Sequence, residues 1–450
     1  MLTNFPSTIT EFMGLEWTQI EPFYNELSAH VLTADNAEAW LTDWSRLAEM
    51  VDETQTRLMV EKTRNTADAD IEQRYNNFLD TIYPRAEAAN QRLKEKLLGS
   101  ELTIPGMEIP LRNMRAEADL FRTESLPLLT EEHKMRMEYD KIVGAQTVTW
   151  EGEERTIAQM QPVLQDADRG KREQAWRLMS ERQLQDRETL NEMWKRFFGL
   201  RVGLASNADL TDYRAYIWRK MLRFDYTPEN CKQFADAIEQ VVVPAAARIY
   251  ERRRQQLGVD TLRPWDLEVD PLNRAPLHPF DTGAELDSKG AAIFNHVDPE
   301  LGAYYETMRR EDLLDLENRK NKAPGGYCTT YVRARRPFIL MNAVGMHSDV
   351  QTLLHEAGHA FHTFETAKLP YFQQLFYTSE IAEVASMSME LLSAPYLSAD
   401  QGGYYTSEDA ARARIEHLES NILFWPYMAV VDMFQQWVYE NPADAVDPAN

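Results

Sequence analysis

Cysteine is nearly missing from this chain: Cys231 and Cys328 are the only two in 450 residues. Two thiols cannot build a disulfide framework, and neither has the paired spacing of a cysteine zinc site. A reducing compartment suits such a composition. Glycine is sparse as well, at 18 residues, which leans toward helix. Long apolar runs are lacking too. The longest, Ile422 to Val431, is ten residues and is interrupted by Pro426, against the roughly 20 needed to cross a bilayer. No Lys or Arg precedes Arg46, so the start lacks the charged opening of a secretory or transit segment. These features together predict a cytoplasmic protein with no membrane partner.

Positive charge is also in short supply. With 48 basic against 72 acidic residues the net charge is −24, which argues against an extended basic surface and hence against nucleic acid as a partner. The ordinary consequence of such acidity is solubility, with recruitment of cationic ligands by an acidic cleft as a secondary reading. What is abundant is ordinary globular material: 44% hydrophobic, 10% aromatic and 27% charged residues. The length allows two or three domains, or one large helical body with an accessory lobe.

From Leu15 to about Leu98 apolar residues recur at helical spacing, as in Ile71, Tyr75, Phe78 and Ile82, so this part reads as packed amphipathic helices. Asp and Asn at 34–36 and 65–68 supply helix starts. Thr147 to Trp150, followed by Glu151-Gly152, reads as a small hairpin. Pro264, Pro271, Pro276 and Pro279 mark an irregular connection, and a change of lobe is expected between 190 and 285. We divide the chain into an N-terminal helical lobe, 1–190, and a second domain, 191–450. After Asn318, Lys322 to Tyr327 is turn chemistry and Arg336 to Asn342 an extended strand. Ser348 or Asp349 then caps a helix running from about Val350 through Thr366, with Pro370 as its stop.

Inside that helix lies His355-Glu356-Ala357-Gly358-His359, an HExxH pattern. At about 100° and 1.5 Å per residue the two imidazoles lie some 40° and 6 Å apart, able to meet on one metal ion. Glu356 lies near enough to reach a metal-activated water without being a ligand, which makes it the candidate general base for peptide hydrolysis. Leu353, Leu354, Ala357, Ala360 and Phe361 surround the motif with apolar residues, and buried histidines and a carboxylate need partners. His362 shares the histidine stripe but lies about 10.5 Å along the axis from His355, so it reads as a hydrogen-bonded histidine beside the site. Glu365 points away and is rejected as a ligand.

A zinc site of this kind needs a third protein ligand and an open position. The next helix, roughly Ser379 to Leu392, offers Glu380, Glu383 and Glu390. Ala382, Ala385 and Ser386 beside Glu383 would let that helix approach closely, which favours Glu383, with Glu380 as the fallback. Glu390, seven residues on, could accept a hydrogen bond from a ligand histidine. Spacing leaves the choice among the three open.

The residues resemble the zinc oligopeptidases that include thimet oligopeptidase and oligoendopeptidase F, with the nearer likeness to the oligoendopeptidase F branch. The likeness is carried by Leu354 to His362, by Ala382-Glu383-Val384-Ala385-Ser386 with Glu390, by Gly325-Gly326-Tyr327-Cys328, by the 337–342 strand, and by Val430 to Trp437. The resemblance implies a mainly α, two-lobed body around a deep channel, with a small sheet near the HExxH helix. It implies one Zn2+ ion on His355, His359 and Glu383, with Glu356 as general base and oligopeptides as substrates. It also implies a cleft lined by Gly325, Gly326, Tyr327, Phe338 and Asn342, whose strand pairs with the peptide backbone. Family members carry a further C-terminal loop whose His and Tyr donate to the oxyanion. Tyr404, Tyr405 and Tyr427 lack that loop's context and read as core or surface aromatics, so the chain is expected to be incomplete at its C-terminus. The alternatives are a zinc carboxypeptidase or dipeptidyl carboxypeptidase on a related helical fold, and a non-catalytic zinc-binding fragment.

Overall fold

A computed structural model describes residues 2–450. The fold is mainly α, with two small sheets among the described residues. No described helix is long and apolar enough to cross a membrane.

The N-terminal helices form where the apolar spacing predicts them. Asp68 caps the helix Ala69–Thr81 by accepting from the Asp70 and Ile71 amides. Asn36 stands at the start of Ala37–Arg64 but spends its side chain backward, on the Thr33 amide and the Val31 carbonyl. Trp40, Trp44, Leu41, Leu47, Phe78 and Leu93 close a core of their own. The hairpin falls as expected, β1 (Thr147–Trp150) pairing with β2 (Glu153–Thr156). Its two turn residues, Glu151 and Gly152, have φ of 53° and 86°, the left-handed pair that a tight two-residue turn needs.

The second core gathers around a three-stranded sheet and the HExxH helix. Strands β3 (Leu314–Glu317) and β4 (Tyr327–Tyr331) flank β5 (Arg336–Ala343), parallel and antiparallel respectively. The expectation that the 337–342 strand offers an edge to a peptide fails, because β5 is paired on both sides and Phe338 to Met341 are at most 3% exposed. An unbroken apolar run is the mark of a strand covered on both faces, and alternation would mark an exposed one. The open edge beside the site belongs to β4.

The long helix Ala37–Arg64 ties the N-terminal helices to this sheet. Buried Glu53 takes the Ala334 amide at 2.8 Å and pairs with Arg57. Glu49 holds Arg333 and Arg335, and Thr63 Oγ1 lies 2.6 Å from the Tyr327 hydroxyl. Asp315 on β3 binds Arg64, Arg319 and the fully buried Lys322, and Lys322 also donates to the Asp315 and Glu317 carbonyls. This anchors the turn that leads to Gly325 and Gly326. Burial alone would raise the Asp315 carboxyl, but Arg319 and Lys322 outweigh it and hold it well below the usual range. Its stabilising contribution is therefore complete above about pH 4 and fades as pH falls toward the folded-state value. Asp315→Asn leaves Lys322 buried without its counter-charge and is expected to cost about 3–5 kcal/mol in urea denaturation. A loss below about 1 kcal/mol contradicts this role for Asp315.

Candidate metal centre

The HExxH helix runs His347–Thr366. Asp349 supports its start from inside the first turn, where its Oδ2 accepts from the Val344 and Met346 amides at 2.8 Å each. Val350, Leu353, Leu354, Ala357 and Phe361 face the core, which turns His355 and His359 toward the next helix, Ser379–Ser393. The two helices meet at Gly358. A Cβ there would stand 2.6 Å from both the Ala385 carbonyl oxygen and Ser386 Cα, closer than real atoms approach. Glycine is what allows this contact.

That contact delivers Glu383 to the histidines. Glu383 Oε2 lies 3.3 Å from His355 Nε2 and 3.8 Å from His359 Nε2, and the three candidate ligand atoms lie within 4.8 Å of one another. Atoms bound at about 2.1 Å around a tetrahedral ion sit roughly 3.4 Å apart, so this donor set fits a zinc-sized ion. Ser386 Oγ donates to the same Glu383 oxygen at 2.9 Å and steadies the carboxylate. Glu390 Oε1 lies 2.7 Å from His355 Nδ1, and its other oxygen lies 3.4 Å from His417 Nε2. An acceptor at Nδ1 puts the proton there and leaves the Nε2 lone pair facing Glu383.

Electrostatics at the cluster follow from burial and from crowded carboxylates. Glu356 is 7% exposed, and burial, reinforced by Glu383 against the opposing pull of His355, pushes its carboxyl up to about 7. Burial alone would lower His355, but its bond to Glu390 and the nearby carboxylates hold it above its ordinary value. His359 is lowered by burial, with Glu383 opposing.

The other expected residues divide. Gly325 has φ +80°, and a Cβ on Gly326 would lie 3.6 Å from Glu356 Oε1, so the Gly-Gly turn borders the Glu356 carboxylate. Tyr327 spends its hydroxyl on Thr63. Phe338 lies in the core against Tyr331, and the Asn342 amide donates to the Ala323 and Gly325 carbonyls, so neither side chain is directed at a ligand. His362 is not hydrogen-bonded through Nδ1, which is buried without a partner. Its ring lies against Tyr377 with centroids 4.0 Å apart. Glu380 is engaged by Arg223 and Tyr226, and Glu365 by Tyr304 and Lys368. Tyr404 and Tyr405 are buried and Tyr427 is exposed, as expected. Two supporting residues escaped sequence reasoning. His417 gave no local signal, and Ser386 was read only for its size.

The chain belongs to peptidase family M3. The model of that family matches residues 163–448, and the M3 N-terminal domain matches 10–103. Within the family the likeness is to oligoendopeptidase F. The chain is 27% identical over 247 residues to an oligoendopeptidase F homologue of Mycoplasma pneumoniae, covering 52% of this chain and 38% of that protein. It is 28% identical over 160 residues to oligopeptidase PepF of Bacillus subtilis, covering 34% and 23%. These matches therefore span well under half of each curated relative. Among solved structures, one described as oligoendopeptidase F superposes with a TM-score of 0.89 at 25% identity, over 95% of this chain and 76% of the other. PZ peptidase A with an inhibitor gives 0.88 at 26%, over 99% and 78%.

Gly358→Ala tests the contact that shapes the site. In an open helix the change gains up to about 1 kcal/mol, whereas here overpacking is expected to cost about 1–3 kcal/mol in thermal or urea unfolding. A more stable variant contradicts the close crossing.

Proposed function

We propose that the protein is a zinc-dependent metalloendopeptidase that hydrolyses short oligopeptides, with His355, His359 and Glu383 holding one zinc ion and Glu356 acting as general base. The observation that supports this most strongly is the convergence of two imidazole Nε2 atoms and one carboxylate beside a buried carboxyl pushed up to about 7. Zinc bound there supplies Lewis-acid polarisation of the scissile carbonyl and a more acidic water. Glu356 takes the proton of the attacking water on its carboxylate and returns it to the leaving amine, a task suited to a group that titrates near neutrality. Glu390 fixes the His355 ring and its tautomer. The open backbone edge of β4, beginning at Tyr327, suits sequence-tolerant pairing with an extended peptide.

The division into an N-terminal lobe, 1–190, and a catalytic domain, 191–450, belongs to the same reading; the separate cores around Trp40 and around the HExxH helix suit two lobes, while the 190/191 bound itself falls inside the helix Arg187–Asn207 and a third core packs Leu120 with Phe198 across it. The free Cys231 and Cys328 suit a cytoplasmic setting.

Glu356→Gln is expected to retain stoichiometric zinc while losing about 10²–10⁴-fold in hydrolysis of a quenched fluorescent peptide. His359→Ala is expected to lose the metal. Hydrolysis should persist on C-terminally amidated peptides, and a strict need for a free carboxylate replaces this reading with the carboxypeptidase one. Glu390→Gln should weaken zinc binding about 10–100-fold in a chelator competition. Wild-type protein purified with zinc in the medium and found metal-free contradicts the proposal.

A further inference from the structure

The helix Ser379–Ser393 carries two carboxylates in its first turns. Glu380 stands three residues before Glu383, about 4.5 Å along the axis and 60° round it, and side chains at that spacing are neighbours on a helix surface. A glutamate free to turn from position 380 reaches the space beside the Glu383 carboxylate, whose Oε2 lies 3.3 Å from His355 Nε2. The packing of the helix does little to restrain it. Ile381, Val384, Leu391 and Leu392 are exposed on its outer side, so the helix is held mainly across the Gly358 crossing.

Besides Thr378 in the cap position, Glu380 is engaged by a segment far away in the chain, residues 221–227, which joins the helices Tyr213–Lys220 and Pro228–Ala237. Arg223 Nε donates to Glu380 Oε1 at 3.1 Å, and the Tyr226 hydroxyl donates to the same oxygen. Both donors are pre-set by their own surroundings. The Arg223 guanidinium lies over the Trp218 and Tyr226 rings, 4.8 and 5.6 Å from their centroids. Those two rings meet edge-on at 5.2 Å, and Trp218 Nε1 donates to the Tyr226 carbonyl at 3.2 Å. Arg112 packs over Phe224 and ties the segment to the helix Glu108–Leu120. The segment turns at Leu222, whose φ of 58° is costly for a residue with a Cβ. A turn held in that conformation brings two donors onto one carboxylate oxygen.

We infer that Arg223 and Tyr226 are positioning residues that select the metal ligand: by occupying Glu380 they withhold it from the ion and keep one coordination position open. The inference rests on the zinc-peptidase reading of the site. Hydrolysis needs three protein ligands and an open position, whereas four protein ligands make a closed, structural site. His355, His359 and Glu383 are three, and a released Glu380 is the fourth. The carboxylate that spacing leaves as a rival of Glu383 is thus kept from the metal by two side chains more than 150 residues away.

The test compares wild type, the double variant Arg223→Ala with Tyr226→Phe, Glu380→Gln, and the triple variant. Zinc affinity is read by chelator competition, coordination number by the visible absorption of the cobalt(II)-substituted proteins, and kcat/KM on the quenched fluorescent peptide at saturating zinc. The double variant is expected to keep or gain zinc affinity, to lose about tenfold or more in kcat/KM, and to show weaker cobalt absorption as a further oxygen joins the ion. Glu380→Gln alone still accepts from both donors and should stay within about twofold of wild type in every readout. Added to the double variant, it should restore both the rate and the cobalt spectrum, because an uncharged amide is a poor rival to a carboxylate. A merely structural segment has a different signature, weaker zinc binding and a loss that Glu380→Gln leaves in place, and that result overturns the inference. So does a double variant with wild-type spectrum and rate, and so does a loss above about fivefold in Glu380→Gln alone. If the double variant does not fold, Tyr226→Phe alone removes one donor and no packing, and the same restoration by Glu380→Gln is required of it. Wild-type protein that binds zinc and cleaves no peptide sinks the peptidase reading alone, since affinity and cobalt spectra still decide ligand selection; wild-type protein that binds no zinc overturns both.

Discussion

The contact at Gly358 is the constraint on which the site depends. Two helices approach until the backbone of one touches the backbone of the other, and the space is so small that a single methyl group at 358 would collide with Ala385 and Ser386. At that separation a glutamate side chain on one helix spans to both histidines on the other. Moving the helices apart by the width of a methyl group would leave Glu383, half-exposed as it is, free to turn toward solvent. Ser386 contributes twice, first by being small at the crossing and then by donating to the carboxylate it helped to bring in.

Around that crossing the fold acts as a clamp. The buried β5 strand packs behind the HExxH helix, while Asp315 and Lys322 anchor the turn that carries Gly325 and Gly326 to Glu356. Glu49, Glu53 and Thr63 on one long N-terminal helix hold the far side of β4 and the loop after it. The carboxyl pushed up to about 7 at Glu356 follows from this enclosure, since burial is the largest cause of its shift. A carboxyl raised toward neutrality is thus a consequence of packing as much as of the residue's identity.

Much of this could be read from the chain, and the reasons are local. The His355–His359 spacing, the small residues around Glu383 and the apolar residues around the motif are properties of helices, whose 3.6-residue period converts sequence directly into faces. The helix pattern of the first hundred residues and the Glu151-Gly152 turn were legible for the same reason. What spacing left open was which carboxylate meets the histidines. The competitor Glu380 is occupied by Arg223 and Tyr226, more than 150 residues away, and no local pattern carries that. Phe338 and Asn342 were assigned to the cleft because a strand's neighbours are invisible in its own sequence, although the unbroken apolar run through β5 did argue for a central position. His417 lies beyond sequence reasoning altogether, since it reaches Glu390 only through a surface assembled from distant segments.

The central claim is that one glycine-permitted helix crossing builds a three-ligand zinc site, and anomalous diffraction at the zinc absorption edge tests it most directly. The account predicts a single anomalous peak within bonding distance, about 2.0–2.2 Å, of His355 Nε2, His359 Nε2 and a Glu383 oxygen, with Glu356 and Glu390 outside the coordination sphere. A zinc-soaked crystal with no peak there, or a peak ligated by Glu380 or Glu390 in place of Glu383, would contradict it.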